Sequence, residues 1–386
     1  MVPKLRFKEF CGEWEETELK NEVDIIMGQS PSSDSYSEEK IGVPLVQGNA
    51  DIKNRITFPT RYTNKPTKIC KNDSLIMTVR APVGYIGKAN QEVCIGRGVC
   101  EIRVKKCNSE YIYQFLINKE DSWNKISQGS TFTSISSNDI KKLKIYIPSL
   151  QEQTKIADFL STVDDKIQNQ QDKITHLENI KKGFMQKIFS RKIRFKDDGG
   201  EEFPEWEEKK LGDIVEVKSG KSPNGLLDSK GEIPFFKVEQ LNNSIKYQEK
   251  TPYYIKKQDE NIIKSRSIIF PKRGAAILLN KIRILKQDSF MDTNLMTLTI
   301  KNNNYYNEFI YYKILVDDLS KIADTTSIPQ INNKHIEPYK IKVPSLPEQT
   351  KIADFLSLFD EKIYIEKQTL EHLKELKKGL LQQIFV

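Results

Sequence analysis

Hydrophobic and polar positions follow two different rhythms along this chain. From Ile147 to Phe189 apolar residues return at spacings of four and three: Ile156, Leu160, Val163, Ile167, then Ile174, Leu177, Phe184 and Ile188. From Val343 to Phe385 the same rhythm returns through Ile352, Leu356, Phe359, Ile363, Leu370, Leu373, Leu380 and Ile384. Such spacing predicts a heptad seam on a long amphipathic helix. Each stretch opens on a capping box, Ser149 with Glu152 and Ser345 with Glu348. Pro347 is tolerated in the first turn, where its missing N–H has no helical partner anyway. Polar interruptions fall at Gln170 and Lys181 in one stretch and at Glu366 and Lys377 in the other. A helix of ~40 residues is about 60 Å long and needs a long partner, for which the other copy is the nearest candidate.

Elsewhere short β-like runs alternate with turns: Val43–Gln47, Leu75–Val79, Val99–Val104, Ile214–Val217, Ile233–Val238, Ser267–Phe270 and Leu295–Ile300. Glu110–Asn118 and Asn307–Leu315 read as short helices with aromatic-rich faces. The expected fold class is α+β. It has two mixed α/β domains separated by a pair of long antiparallel helices, related by an internal pseudo-twofold repeat. A parallel pairing would require the linker after Phe189 to carry the chain back along the whole helix. The expected segments are a first domain over 1–147, a helix over 148–190, a second domain over 191–343 and a helix over 344–386.

The duplication is explicit in the residues. Ile147–Phe189 and Val343–Phe385 align without a gap at an offset of 196, with 24 identities in 43 positions. Further back, Lys192-Ile193-Arg194-Phe195 echoes Lys4-Leu5-Arg6-Phe7, and Trp206 echoes Trp14. Gly220-Lys221-Ser222-Pro223 echoes Gly28-Gln29-Ser30-Pro31, and Arg273 follows Ser267 as Arg80 follows Ser74. Between these anchors the halves diverge, so the helices are near copies while the domains share only a frame.

Composition adds less. The net charge is +8, with +4 on either side of Ser190. That suits two equal polyanion-binding modules and also many ordinary proteins. The five cysteines, Cys11, Cys70, Cys94, Cys100 and Cys107, form no CxxC pair, and with three histidines no metal site is expected. They are expected to be reduced thiols in a cytoplasmic protein. No apolar run approaches a membrane span and no secretory h-region opens the chain.

Catalytic patterns fail on their mechanical requirements. Gly220-Lys221-Ser222 resembles the end of a phosphate loop, but Val215 stands where the earlier glycine is needed, and Pro223 interrupts the following helix. No glycine fingerprint follows a strand, and no Gly-x-Ser-x-Gly elbow exists. His176 and His372 are repeat-equivalent helix residues, and Asp164-Asp165-Lys166 and Asp360-Glu361-Lys362 read as solvated or ion-paired helix faces. The domains offer instead polar and basic loops whose residue types suit phosphates and base edges. The candidate DNA-binding residues are Gln29, Ser30, Asn49, Arg80, Arg97, Thr131 and Thr133 in the first half. In the second they are Lys221, Ser222, Lys237, Arg273, Asn294, Ser327 and Gln330. Arg80 and Arg273 are the strongest single candidates. The competing reading is a protein-interaction scaffold without DNA, in which the loops bind proteins; for any single loop the plain alternative is ordinary turn chemistry, since Gly, Ser, Asn and Pro live in loops anyway.

The repeated Pro-Ser-Leu-x-Glu-Gln-Thr-Lys-Ile-Ala-Asp-Phe-Leu, from Pro148 to Leu160 and from Pro344 to Leu356, carries a family resemblance. With Gly28-Gln29-Ser30-Pro31 and Arg80-Ala81-Pro82-Val83-Gly84, the chain resembles the specificity subunit of a type I restriction–modification system. The resemblance implies a non-catalytic chain with two target-recognition domains, each reading one half of a bipartite site on double-stranded DNA. It implies helices that set the gap and assembly with two modification (methyltransferase) subunits and with restriction (translocase/endonuclease) subunits. S-adenosylmethionine, ATP and Mg would belong to those partners, with no cofactor and no metal in this chain.

Overall fold

The computed structural model describes residues 1–128, 134–223, 225, 227–228, 230–256, 261–324 and 328–385, with side chains left aside at 124–128. Two compact units emerge: Met1–Gln171 with Gln368–Val386, and Asp172–Lys367. The expected seams become two continuous helices, Leu150–Phe189 and Leu346–Ile384. The units cut across the consecutive segments expected from the sequence, because each unit takes the first part of one long helix and the last part of the other.

Each unit is built on the same sheet. In the first, the strand order is 23–27, 99–104, 75–78, 86–88, 56–57, 52–53. In the second it is 215–219, 295–300, 268–271, 283–285, 247–248. A second sheet in each unit contains a parallel pair, Val43–Val46 beside Val93–Ile95 and Ile233–Phe236 beside Phe290–Met291. An antiparallel ribbon brings the start of each domain to its end. It pairs Glu15–Glu18 with Lys144–Ile147, and Glu207–Lys210 with Lys340–Val343. The central strands Leu75–Thr78 and Ile268–Pro271 are buried along their whole length, as strands covered on both faces must be. The short helices predicted at Glu110 and Asn307 are present as Ser109–Gln128 and Asn307–Asp317.

In each unit the seam residues join domain and helices in one core. In the first unit Ile156 and Leu160 pack with Trp14, Tyr111, Phe115 and Ile145 of the domain, and also with Leu381, Ile384 and Phe385 of the second long helix. In the second unit Ile352 and Leu356 pack with Trp206, Phe309 and Ile341, and with Met185 and Ile188. Val163 and Ile363 are buried, while Ile167 and Phe359 are half-buried. Within the second unit Lys181 pairs with Asp360, and Lys173 with Glu366 at 2.6 Å. A lower number on one helix meets a higher number on the other, so the segments run antiparallel. Within the first unit Lys377 pairs with Asp164. The lysines that interrupt the seam, Lys181 and Lys377, are therefore partners of the Asp-x-Lys runs.

The shared Glu-Gln of the repeated motif has a role that the sequence reading missed. The expected capping box is half-formed in the first copy, where Glu152 N donates to Ser149 Oγ at 3.3 Å. In the second copy Ser345 Oγ is buried without a partner. The carboxylates are drawn away by stronger, charge-assisted partners. Arg6 reaches Glu152 through Nε and one Nη, both at 2.8 Å, and Trp14 Nε1 adds 3.3 Å. Arg194 grips Glu348 at 3.3 and 3.0 Å. Gln153 accepts from Asn108 N and donates to Pro148 O, both at 2.9 Å. Gln349 does the same with Tyr306 N at 2.8 Å and Pro344 O at 2.9 Å. These residues latch each long helix to its own domain.

Candidate nucleic-acid interface

The candidate loops of each unit meet, and they meet through the same backbone hydrogen bonds. In the first unit Gly28 N donates to Val99 O at 3.0 Å and Gln29 N to Ile95 O at 2.9 Å. Gly96 N donates to Val46 O at 2.8 Å, while Val79 N donates to Gly98 O and Ile135 N to Val79 O, both at 2.9 Å. In the second unit Gly220 N donates to Leu295 O at 3.0 Å and Lys221 N to Met291 O at 3.1 Å. Asp292 N donates to Phe236 O at 2.9 Å, while Lys272 N donates to Asn294 O and Ile331 N to Lys272 O, both at 2.8 Å. Arg80 then bridges Ser134, and Arg273 bridges Gln330. Four separate stretches thus converge around each arginine. The repeated glycine is required by this closeness: a Cβ at Gly28 would lie 2.2 Å from Gly96 O, and one at Gly220 would lie 1.8 Å from Asp292 O.

On this frame the side chains differ. Gln29 stands where the second unit has Lys221, Gln47 where it has Lys237, and Arg97 where it has Thr293. The arginines, Arg80 and Arg273, and the serines, Ser30 and Ser222, are kept. Gln29, Arg80, Arg97, Lys221, Ser222 and Arg273 are exposed. No ion pair holds Arg80, Arg97, Lys221 or Arg273 among the described residues, whereas many other cations of the chain are paired. Burial first and the adjoining Arg273 second push the Lys272 ammonium below its usual range, against the opposing pull of Asp292. An exposed, unpaired guanidinium held on a rigid frame can meet a phosphate or a guanine edge.

Other candidates are engaged within the protein. Ser30 Oγ accepts from Arg97 N at 3.2 Å, so it fixes the arginine loop. Asn294 N donates to Asp292 Oδ1 at 2.7 Å in a local turn. Gln330 Nε2 donates to Asn332 Oδ1 at 3.0 Å. Lys237 lays its ammonium 3.9 Å from the centroid of the Tyr253 ring. Asn49 is half-buried at the start of a 3-10 turn, whose Asp51 Oδ2 accepts from Gln47 N at 2.7 Å. Thr131, Thr133 and Ser327 lie outside the described residues. Residues that sequence reading missed include Tyr36, whose hydroxyl accepts from Gln47 Nε2 at 2.7 Å and donates to Pro31 O at 3.1 Å. Nothing in the local pattern of Tyr36 signals that bridge.

The cysteines are all free thiols, and burial pushes Cys70 and Cys100 up to about 12. No group of metal-ligating side chains occurs among the described residues. No helix among them is long and apolar enough to cross a membrane.

Comparison with known proteins places the chain in a family. The chain is 36% identical over 197 residues to the putative type I restriction enzyme MjaX specificity subunit of Methanocaldococcus jannaschii, a match spanning 50% of this chain and 46% of that one. It is 25% identical to the type I restriction enzyme MjaIX specificity subunit of the same organism, over 96% of this chain and 92% of that one. The fold is that of a crystal structure of the S subunit of a type I restriction-modification system from M. genitalium, with a TM-score of 0.59 and 20% identity, covering 100% and 99% of the two chains. The model of the type I restriction modification DNA specificity domain matches twice, over residues 12–179 and 204–375. With both halves matched, the chain belongs to that family and is a DNA sequence-specificity subunit of a restriction–modification system.

Proposed function

We propose that each unit reads one half of a split site on double-stranded DNA, through the loops gathered around Arg80 and around Arg273. One observation carries this reading: two identical backbone frames present different side chains. A shared frame holds each reader at the same depth on a duplex, and the changed residues give each a different half-site. Phosphate contacts supply salt-sensitive affinity, and base-edge contacts supply discrimination of about 1–3 kcal/mol per bidentate pair. Two linked readers multiply that discrimination only at the correct gap.

In this reading the chain performs no reaction and works in the cytoplasm. Two modification subunits dock on the repeated helical faces and carry S-adenosylmethionine. Restriction subunits carry ATP and Mg. The near-identity of the two helix copies supports a partner that is met twice.

The test is methylome sequencing of cells that express this chain with its modification partner. The expected result is a two-part motif with a fixed gap, methylated on adenine. An assembled, active complex that leaves no split motif overturns the reading. Absence of salt-dependent, sequence-selective DNA binding by the assembled complex would return the chain to the scaffold alternative.

A further inference from the structure

Among the described residues, the path after Arg273 carries an apolar tip that the path after Arg80 lacks. Eight residues lead from Arg80 to Lys88, which lies opposite Leu75. Eleven lead from Arg273 to Ile284, which lies opposite Ile268, the equivalent register. The longer path holds a 3-10 turn, Ala275–Leu279, at which Leu278 and Leu279 are 58% and 62% exposed. The corresponding path in the first unit keeps Val83 and Ile86 buried.

The tip is held firmly. Ile277 is buried beneath it, and Gly274 N donates to Pro329 O at 2.9 Å. Asn280 closes the turn in the left-handed region, with φ of 45°, and its Nδ2 donates to Leu315 O at 2.9 Å. Ile328, 61% exposed, stands next to that same Pro329. Single exposed apolar side chains are ordinary, but adjacent ones on a fixed tip mark a contact surface.

Charge indicates what covers it. The segment 272–287 contains Lys272, Arg273, Lys281, Arg283 and Lys286 and no acidic residue. Arg283 is turned inward onto Ser244 O at 2.8 Å. Lys272 and Arg273 precede the leucines, and Lys281 follows them. At about 2 Å of rise per residue, the leucines lie within about 12 Å of Arg273, so the arginine and the leucines can reach the same half-site. A surface whose rim is cationic and whose centre is apolar fits a polyanion with stacked bases inside it.

Resting on the DNA-reading function above, we propose that Leu278 and Leu279 form a wedge that enters the second unit's half-site and opens one base step. That half-site is then read partly through its deformability, and the first is read without such distortion. Pyrimidine–purine steps unstack most readily, so the wedge favours them without any hydrogen bond to a base.

The experiment uses the complex assembled with its modification subunits and duplexes carrying 2-aminopurine at successive positions, the methylated adenine excepted. Outside the methylated adenines and the bases that flank or pair with them, fluorescence is expected to rise at one step in the second half-site and at no step in the first. The double variant Leu278→Ser, Leu279→Ser should abolish that rise and weaken binding about tenfold. The slope of affinity against salt should stay unchanged, because no phosphate contact is lost. A mismatch built into the opened step should restore most of the variant's affinity. A variant that binds and distorts DNA as the parent does, in a complex that still recognises its split site, overturns the wedge and leaves the reading intact. A variant that no longer assembles assigns the tip to a protein partner and also overturns it. Loss of sequence-selective binding in the parent complex itself would remove the underlying reading instead.

Discussion

Arg80 and Arg273 stand at matching points of two hydrogen-bonded frames, exposed and, among the described residues, without an ion pair. Arg273→Ala is expected to weaken binding by about 1–3 kcal/mol and to relax discrimination at one position of the second half-site alone. Competition between single-base variants of both half-sites checks this; equal losses on all sequences would make Arg273 a phosphate contact. Gly220→Ala is expected to cost roughly 1–3 kcal/mol, because a Cβ there would meet Asp292 O at 1.8 Å and the loop must shift. Thermal denaturation reads that cost, and an unchanged midpoint would contradict the packed frame. Residue type alone singled out the arginines as candidates. It could not separate Gln29, which faces solvent, from Gln330, which is bound to Asn332, because the difference lies in a neighbour's position.

The long helices show how polar residues survive in a seam. Lys181 is buried and paired with Asp360, which also accepts from Tyr312. Lys181→Met leaves that carboxylate short of its countercharge and is expected to cost about 3–5 kcal/mol. Lys173 is exposed in its pair with Glu366, so Lys173→Met is expected to cost less than about 1 kcal/mol. Urea denaturation of the two variants compares them directly; similar losses would refute the distinction. The latch makes a second contrast. Glu152→Gln weakens the grip of Arg6, and an unfolding midpoint lower than the parent's is expected. The heptad spacing was legible because helical periodicity is local. The destination of Glu152 was not, because Arg6 lies 146 residues away in sequence.

For the whole molecule, the proposed spacing role of the helices makes a geometric prediction. Removing one turn from both helices shortens each by about 5.4 Å, between one and two base-pair steps of about 3.4 Å. The preferred gap of the split motif is expected to change by one or two base pairs, read by methylome sequencing. An unchanged gap in an active complex would remove the helices as the ruler. The duplication makes this test interpretable, since the same turn can be removed at equivalent places in both copies.

By itself, the sequence determined the repeat, the two long helices, the mixed α/β character of the domains and the family. All of these follow from periodicity and from residues compared at a fixed offset. Tertiary structure decided which loops gather around each arginine, which polar side chains are left free, and that each helix is shared between two units. The physical reason is the range of the interaction. A helix or strand is specified by neighbours a few residues away. A hydrogen bond such as that from Val79 to Gly98, or an ion pair such as that of Lys377 with Asp164, exists only once distant segments have packed.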